Sequence, residues 1–147
     1  MKIEQQKYFG QITAINADER YVDAIILHFD RPNLNMWSPM AGCLDDFLKT
    51  LTASNKFIPA CYQHDENKLI GQWRDLEIEG DVLKARCYLD NIPFVNETVI
   101  PQLKSGSLQG ASPTLIPTDG KRNATTGIME VNVANILEFS LVSIPAD

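Results

Sequence analysis

The chain is sparing with the residues that most often announce chemistry. It has only two histidines, His28 and His64, so imidazole chemistry has two places to sit. Its three cysteines, Cys43, Cys61 and Cys87, are odd in number and widely spaced. That pattern implies no disulfide framework and fits a reducing compartment. Cys61 and His64 make a lone Cys-x-x-His, with no second ligand pair at zinc spacing. On a regular strand the two point to opposite faces, which makes a poor thiolate–imidazole dyad. Basic residues are in deficit: 13 Lys and Arg face 19 Asp and Glu, a net charge of −6. Broad attraction to nucleic acid is therefore not expected. Gly106 and Gly110 form neither a Walker nor a dinucleotide pattern, so a phosphate-cradling loop is missing. No run reaches the roughly 18 apolar residues of a membrane span. Met1-Lys-Ile-Glu-Gln-Gln-Lys7 lacks the apolar stretch of a signal peptide. Without a secretory route, the sequons at Asn96 and Asn123 read as accidental.

What is present describes an ordinary core. The 147 residues are near the size of one domain, and 44% of them are hydrophobic, enough to fold without staples. There is no internal repeat, so residues 1–147 are expected to form a single domain. Tyr8–Ile15 and Tyr21–Phe29 read as the first strands, the second apolar on both faces and so covered on each side. Ser38-Pro39 reads as a capped helix start. Leu44, Phe47, Leu48 and Leu51 then form the apolar stripe of that helix. Phe57–Gln63, with Pro59 inside, reads as an edge or irregular strand.

Leu69–Ile78 and Val82–Asp90 read as a hairpin about Gly80-Asp81. Its second arm alternates Leu83, Ala85, Cys87 and Leu89 against Lys84, Arg86 and Tyr88. Asn91–Lys104 is expected to be a helix capped by Asn91, kinked or divided at Pro101 and stopped by Gly106. Leu108–Ile116 reads as a strand, Pro117–Gly127 as a polar loop, and Ile128–Val133 and Ile136–Ile144 as the last strands. Many short strands with two helices predict a mainly β fold with flanking helices (α+β), a barrel or folded sheet with the helices packed outside.

Three side chains stand out against that background. His64 ends a strand beside the polar Asp65-Glu-Asn67, where an imidazole can reach a nucleophile on a neighbouring strand. His28 lies in a mostly apolar strand and reads as structural. Ser112 sits in Leu108-Gln-Gly-Ala-Ser-Pro-Thr114, where Gly110 and Ala111 leave room for a substrate backbone. Pro113 has no N–H, so an oxyanion must be served from elsewhere: the Ser112 N–H, a loop amide or a guanidinium such as Arg122. Glu138 is a lone charge in an apolar strand and shares its face with Ile136, Ser140 and Val142. It is either a solvated surface group or the carboxylate that orients His64. Asp65 is the weaker rival, because adjacent side chains on an extended segment point apart. A hydroxyl, an imidazole and a carboxylate are the groups of a serine hydrolase.

In order and spacing the motifs resemble the prohead (head maturation) proteases of tailed bacteriophages, similar in fold to herpesvirus assemblins. The matching phrases are His64-Asp65, Leu69-Ile-Gly71, Gly80-Asp-Val-Leu-Lys-Ala85, Leu103-Lys-Ser-Gly106, Gly110-Ala-Ser112 and Ile136-Leu-Glu-Phe-Ser-Leu-Val-Ser-Ile-Pro-Ala146. Pro113 departs from the aliphatic residue often found after the serine. The resemblance implies an assemblin-like β-barrel and a serine endopeptidase, with His64 as base, Ser112 as nucleophile and Glu138 at the acidic position of the last strand. It implies no cofactor or metal, and as substrates scaffold protein, the major capsid protein and the protease itself. It implies no direct nucleic-acid or membrane partner and allows a homo-oligomer. Its place would be the bacterial host cytoplasm, inside the assembling procapsid. Family members commonly continue into a removable tail, so the expectation at Asp147 is a trimmed or matured end. The alternative is a non-catalytic capsid assembly or scaffold module that keeps the fold, with Ser112 a small residue in a packed strand.

Overall fold

The computed structural model describes residues 4–143. Ile144 and the Pro145-Ala146 end of the closing phrase lie outside the described residues, as do Met1–Ile3. The strands are β1 (Gln6–Lys7), β2 (Gly10–Asn16), β3 (Tyr21–His28), β4 (Trp37–Pro39), β5 (Ile58–Tyr62), β6 (Asp65–Glu79), β7 (Val82–Leu89), β8 (Gly110–Arg122) and β9 (Met129–Val142). Helix α1 (Asp45–Ser54) precedes β5, and a π turn at Val95–Val99 runs into α2 (Ile100–Ser105). Pairing runs β8–β2–β3–β7–β6–β5–β9 and back to β8, a closed ring of seven strands, with β1 beside β8 and β4 beside β9. The mainly β barrel with flanking helices is therefore what the chain forms. Among the described residues no helix is long and apolar enough to cross a membrane.

Alternation builds the core. In β7, Leu83, Ala85, Cys87 and Leu89 are buried while Lys84, Arg86 and Tyr88 are half-exposed, as their period of two requires. Strand β3, expected to be covered on each side, is buried on one face up to Ile26, and a register shift between Ile25 and Leu27 then brings Leu27 into the core as well. Val22, Ala24 and Ile26 face the core, whereas Asp23 on the other face takes both oxygens to Arg86, at 2.7 and 3.0 Å. Trp73 of β6 is fully buried; its ring meets Phe139 edge-on and its indole N–H donates to the Phe139 carbonyl at 3.0 Å. That bond lets a large polar-tipped ring sit in the core without an orphaned donor.

The structure corrects three further local expectations. Ser38-Pro39 does not start a helix. It ends β4, which runs parallel to β9 at the edge of the sheet, where a proline without N–H is tolerated. The helix begins at Asp45, and Leu44 rather than Ser38 stands at its N-cap. Asn91 does not cap the second helix either; its side-chain oxygen accepts from Asn96 Nδ2 at 2.9 Å. Pro101 does divide that helix: the Ile100 N–H reaches back to the Val95 carbonyl just before the proline, and Gly106 closes α2 at φ 86°. The polar segment after Pro117 is mostly strand. β8 runs on to Arg122, paired with β9 through register shifts at Pro117–Gly120, and only 123–128 turn. An exposed hairpin arm needs no apolar alternation, so its composition resembles a loop.

Gly10 sits where β2 leaves β1 and pairs with Ala111, beside Ser112. A Cβ there would lie 2.0 Å from the Ile25 carbonyl oxygen, so backbone would have to move. Gly10→Ala is expected to cost about 3 kcal/mol or more, read as a lowered urea midpoint; an unchanged midpoint would refute this packing.

Candidate active site

β8 and β9 pair Ser112 with Ser140 and Thr114 with Glu138, and β5 sets Cys61 opposite Ser140 from the other side. Residues two apart share a face, so Ser112, Thr114, Glu138, Ser140 and Cys61 line one face of three adjacent strands. All five are buried.

His64 arrives from a tight turn. Tyr62 pairs with Asp65, leaving Gln63 and His64 as a two-residue loop with φ of 54° and 61°. Two successive left-handed residues are the signature of a type I′ hairpin turn, normally built with Asn and Gly. Here contacts to β9 hold it. The Gln63 N–H donates to the Leu141 carbonyl at 3.0 Å, and the His64 N–H donates to Ser140 Oγ at 3.0 Å. The Gln63 amide donates to Ser143 Oγ at 2.9 Å and accepts from the Ser143 N–H at 3.0 Å.

The imidazole lies between the other two groups. Nε2 is 2.9 Å from Ser112 Oγ, and Nδ1 is 3.2 Å from Glu138 Oε2. An ionised carboxylate only accepts, so the neutral ring carries its proton on Nδ1 and offers the Nε2 lone pair to the hydroxyl. Ser140 Oγ donates to the other carboxylate oxygen, Oε1. Thr114 Oγ1 lies 3.4 Å from Nδ1 and also serves the carboxylate. Burial pushes the Glu138 carboxyl up, but hydrogen bonds from His64, Ser140 and Thr114 outweigh it and hold the group below its usual range. Glu138 is thus no solvated surface charge. Asp65 turns aside and accepts the Asn67 N–H at 2.9 Å.

Ser112 has a second acceptor. Tyr8 donates its N–H to the Pro113 carbonyl at 3.2 Å, but Pro113 has no N–H to return. The Tyr8 carbonyl, left without that ladder bond, takes the Ser112 hydroxyl at 2.7 Å. Because Pro113 faces β1, alternation turns the Ser112 N–H toward β9, into the ladder and away from an oxyanion. Arg122 does not reach the serine either: it lies ten residues further along β8, roughly 33 Å in an extended strand, and donates to the Gly127 carbonyl at 2.7 Å. His28 stays in β3, opposite Val82, and takes no part in these contacts. Cys61 lies beside the site, but burial and then the Glu138 charge push its thiol up to about 12. It is no thiolate at neutral pH.

The model of the caudovirus prohead serine protease family matches residues 13–147. The chain belongs to that family. The bacteriophage T4 capsid assembly protease, gp21, superposes with a TM-score of 0.77 over 99% of this chain and 100% of the T4 chain. At 12% identity that likeness shows the fold alone. No curated protein matches by sequence. In this member of the prohead serine protease family, Ser112, His64 and Glu138 form one hydrogen-bonded line.

Sequence reading missed Ser140, Thr114 and Tyr8. Periodicity already sets Ser140 on the face of Glu138, and the same spacing sets Thr114 on the face of Ser112, but position alone gives neither hydroxyl a task. Nothing local points to Tyr8, whose contact spans the chain.

Because the folded state holds Glu138 below the usual carboxylate range, the unfolded chain binds the proton more readily. The stabilisation is complete above about pH 4.3, the ordinary glutamate value. It fades as pH falls through the lower folded value. Glu138→Gln is expected to flatten that acid-side loss in urea titrations at stepped pH; an identical acid profile would contradict it.

Proposed function

We propose that residues 1–147 form one protease domain, an endopeptidase that matures a viral procapsid with Ser112 as nucleophile, His64 as base and Glu138 as orienter. The observation that carries this is the line from Ser112 Oγ to His64 Nε2 at 2.9 Å and from Nδ1 to Glu138 at 3.2 Å. The Ser112 proton turns from the Tyr8 carbonyl to His64 Nε2, a rotation about one bond, since both acceptors are in reach. Oγ then attacks the substrate carbonyl carbon as Nε2 takes the proton. Imidazolium beside an ionised Glu138 is stabilised, and it returns the proton to the leaving amine as the C–N bond breaks. Water, deprotonated by the same imidazole, releases the acyl group and regenerates the hydroxyl. Family membership supports as substrates the scaffold, the N-terminal arm of the major capsid protein and the enzyme itself, inside the procapsid of a bacterial host.

One observation favours the second reading, an assembly module without activity: Ser112 has 0% exposure. Against it, the His64 side chain beside the serine is 20% exposed, so the site reaches solvent through the imidazole.

A serine-directed fluorophosphonate separates the two. The expected result is one adduct, at Ser112, located by peptide mass mapping and lost in His64→Ala. Ser112→Ala in the full-length precursor is expected to abolish self-cleavage while the protein still melts cooperatively. A folded sample with no adduct, or a cleaving Ser112→Ala, would overturn the peptidase.

A further inference from the structure

Ser140 stands at a junction that neither the nucleophile nor the base explains. It is fully buried, pairs with Ser112 across β8–β9 and lies opposite Cys61 on β5. Its hydroxyl makes two bonds in opposite senses. It accepts the backbone N–H of His64 at 3.0 Å and donates to Glu138 Oε1. Thr114, the other hydroxyl at the carboxylate, meets the imidazole ring at Nδ1, whereas Ser140 meets the backbone of the turn that carries it.

We propose that Ser140 is a positioning residue for the proton relay, one hydroxyl fixing His64 through its backbone and Glu138 through its carboxylate. This rests on the reading of Ser112, His64 and Glu138 as nucleophile, base and orienter. His64 and Gln63 hold left-handed backbone that non-glycine residues adopt only when their surroundings demand it. The Gln63 contacts secure the first residue of the turn; the Ser140 acceptor secures the second, the one whose ring must aim. At the carboxylate, Oε2 is used by His64, so the buried Oε1 needs its own donor to stay ionised. Ser140 supplies it, leaving Oε2 free to face Nδ1.

The groups around Glu138 define what a pH experiment reads. His64 comes from the β5–β6 turn, Thr114 from β8 and the Cys61 thiol from β5, with Asp65 and Glu66 of β6 acting on that thiol. Among the groups that touch the carboxylate, the imidazole of His64 is the one that can carry a positive charge. Removal of the Ser140 donor therefore shows as a rise in the Glu138 midpoint, with His64 as the coupled partner.

The test uses the full chain as wild type, Ser140→Cys and Ser140→Ala. The Glu138 carboxyl is followed by carbon-13 NMR against pH, and fluorophosphonate labelling of Ser112 is timed on the same samples. The Glu138 midpoint is expected to rise in Ser140→Ala, and labelling to slow about tenfold to a hundredfold, the worth of one hydrogen bond to a charged group. Ser140→Cys, with a weak donor of similar size, is expected to fall between, and it carries the test if Ser140→Ala does not fold. An unchanged midpoint and rate in a folded variant overturn the role of Ser140 alone. A wild type that takes no label overturns the peptidase reading, and the positioning role with it.

Discussion

The arrangement of this site depends on how a two-residue turn is held. Gln63 and His64 both adopt positive φ, a backbone state that costs on the order of 1 kcal/mol or more for each residue without glycine's freedom. It persists because the turn is docked on β9 rather than left in solvent. Four hydrogen bonds run from these two residues to Ser140, Leu141 and Ser143. β9 is also the strand that carries Glu138 and pairs with the strand of Ser112. One strand thus serves as the common reference for imidazole, carboxylate and hydroxyl, and barrel closure through β8–β9 makes that reference rigid.

Electrostatics then decides what the arrangement can do. A buried carboxylate is unfavourable in isolation, and burial alone would raise its proton affinity. Three donors reverse the balance at Glu138. The ionised group in turn fixes the proton of the imidazole on Nδ1. Pro113 takes part through what it lacks: its missing N–H leaves the Tyr8 carbonyl available, and the Ser112 hydroxyl occupies it. The serine therefore rests between two acceptors, 2.7 Å from one and 2.9 Å from the other, and either can hold its proton.

Much of this is legible in the sequence. Strict alternation located β7, and Gly80-Asp81 located the turn that leads into it. His64, Ser112 and Glu138 were singled out as residue types set against their surroundings. What stayed hidden depends on distance or on context. Ser38-Pro39 has the local chemistry of a helix start, but pairing with β9 claims it for a strand. The arm of β8 beyond Pro117 has the composition of a loop because it is solvated on both faces. Ser140 was on the right face by periodicity, yet its importance comes from the His64 amide, which belongs to another strand pair. The Tyr8 contact with Ser112 joins residues 104 positions apart and leaves no local trace.

His64 stands between Glu138 and Ser112 as a neutral ring protonated on Nδ1. Nitrogen-15 NMR of the ring reads that directly. At a pH where the imidazole is neutral, Nδ1 is expected to carry the proton and Nε2 to be bare, with a mixture of tautomers once Glu138 is replaced by Gln. A ring protonated on Nε2 in the wild type, or one indifferent to Glu138, would contradict it.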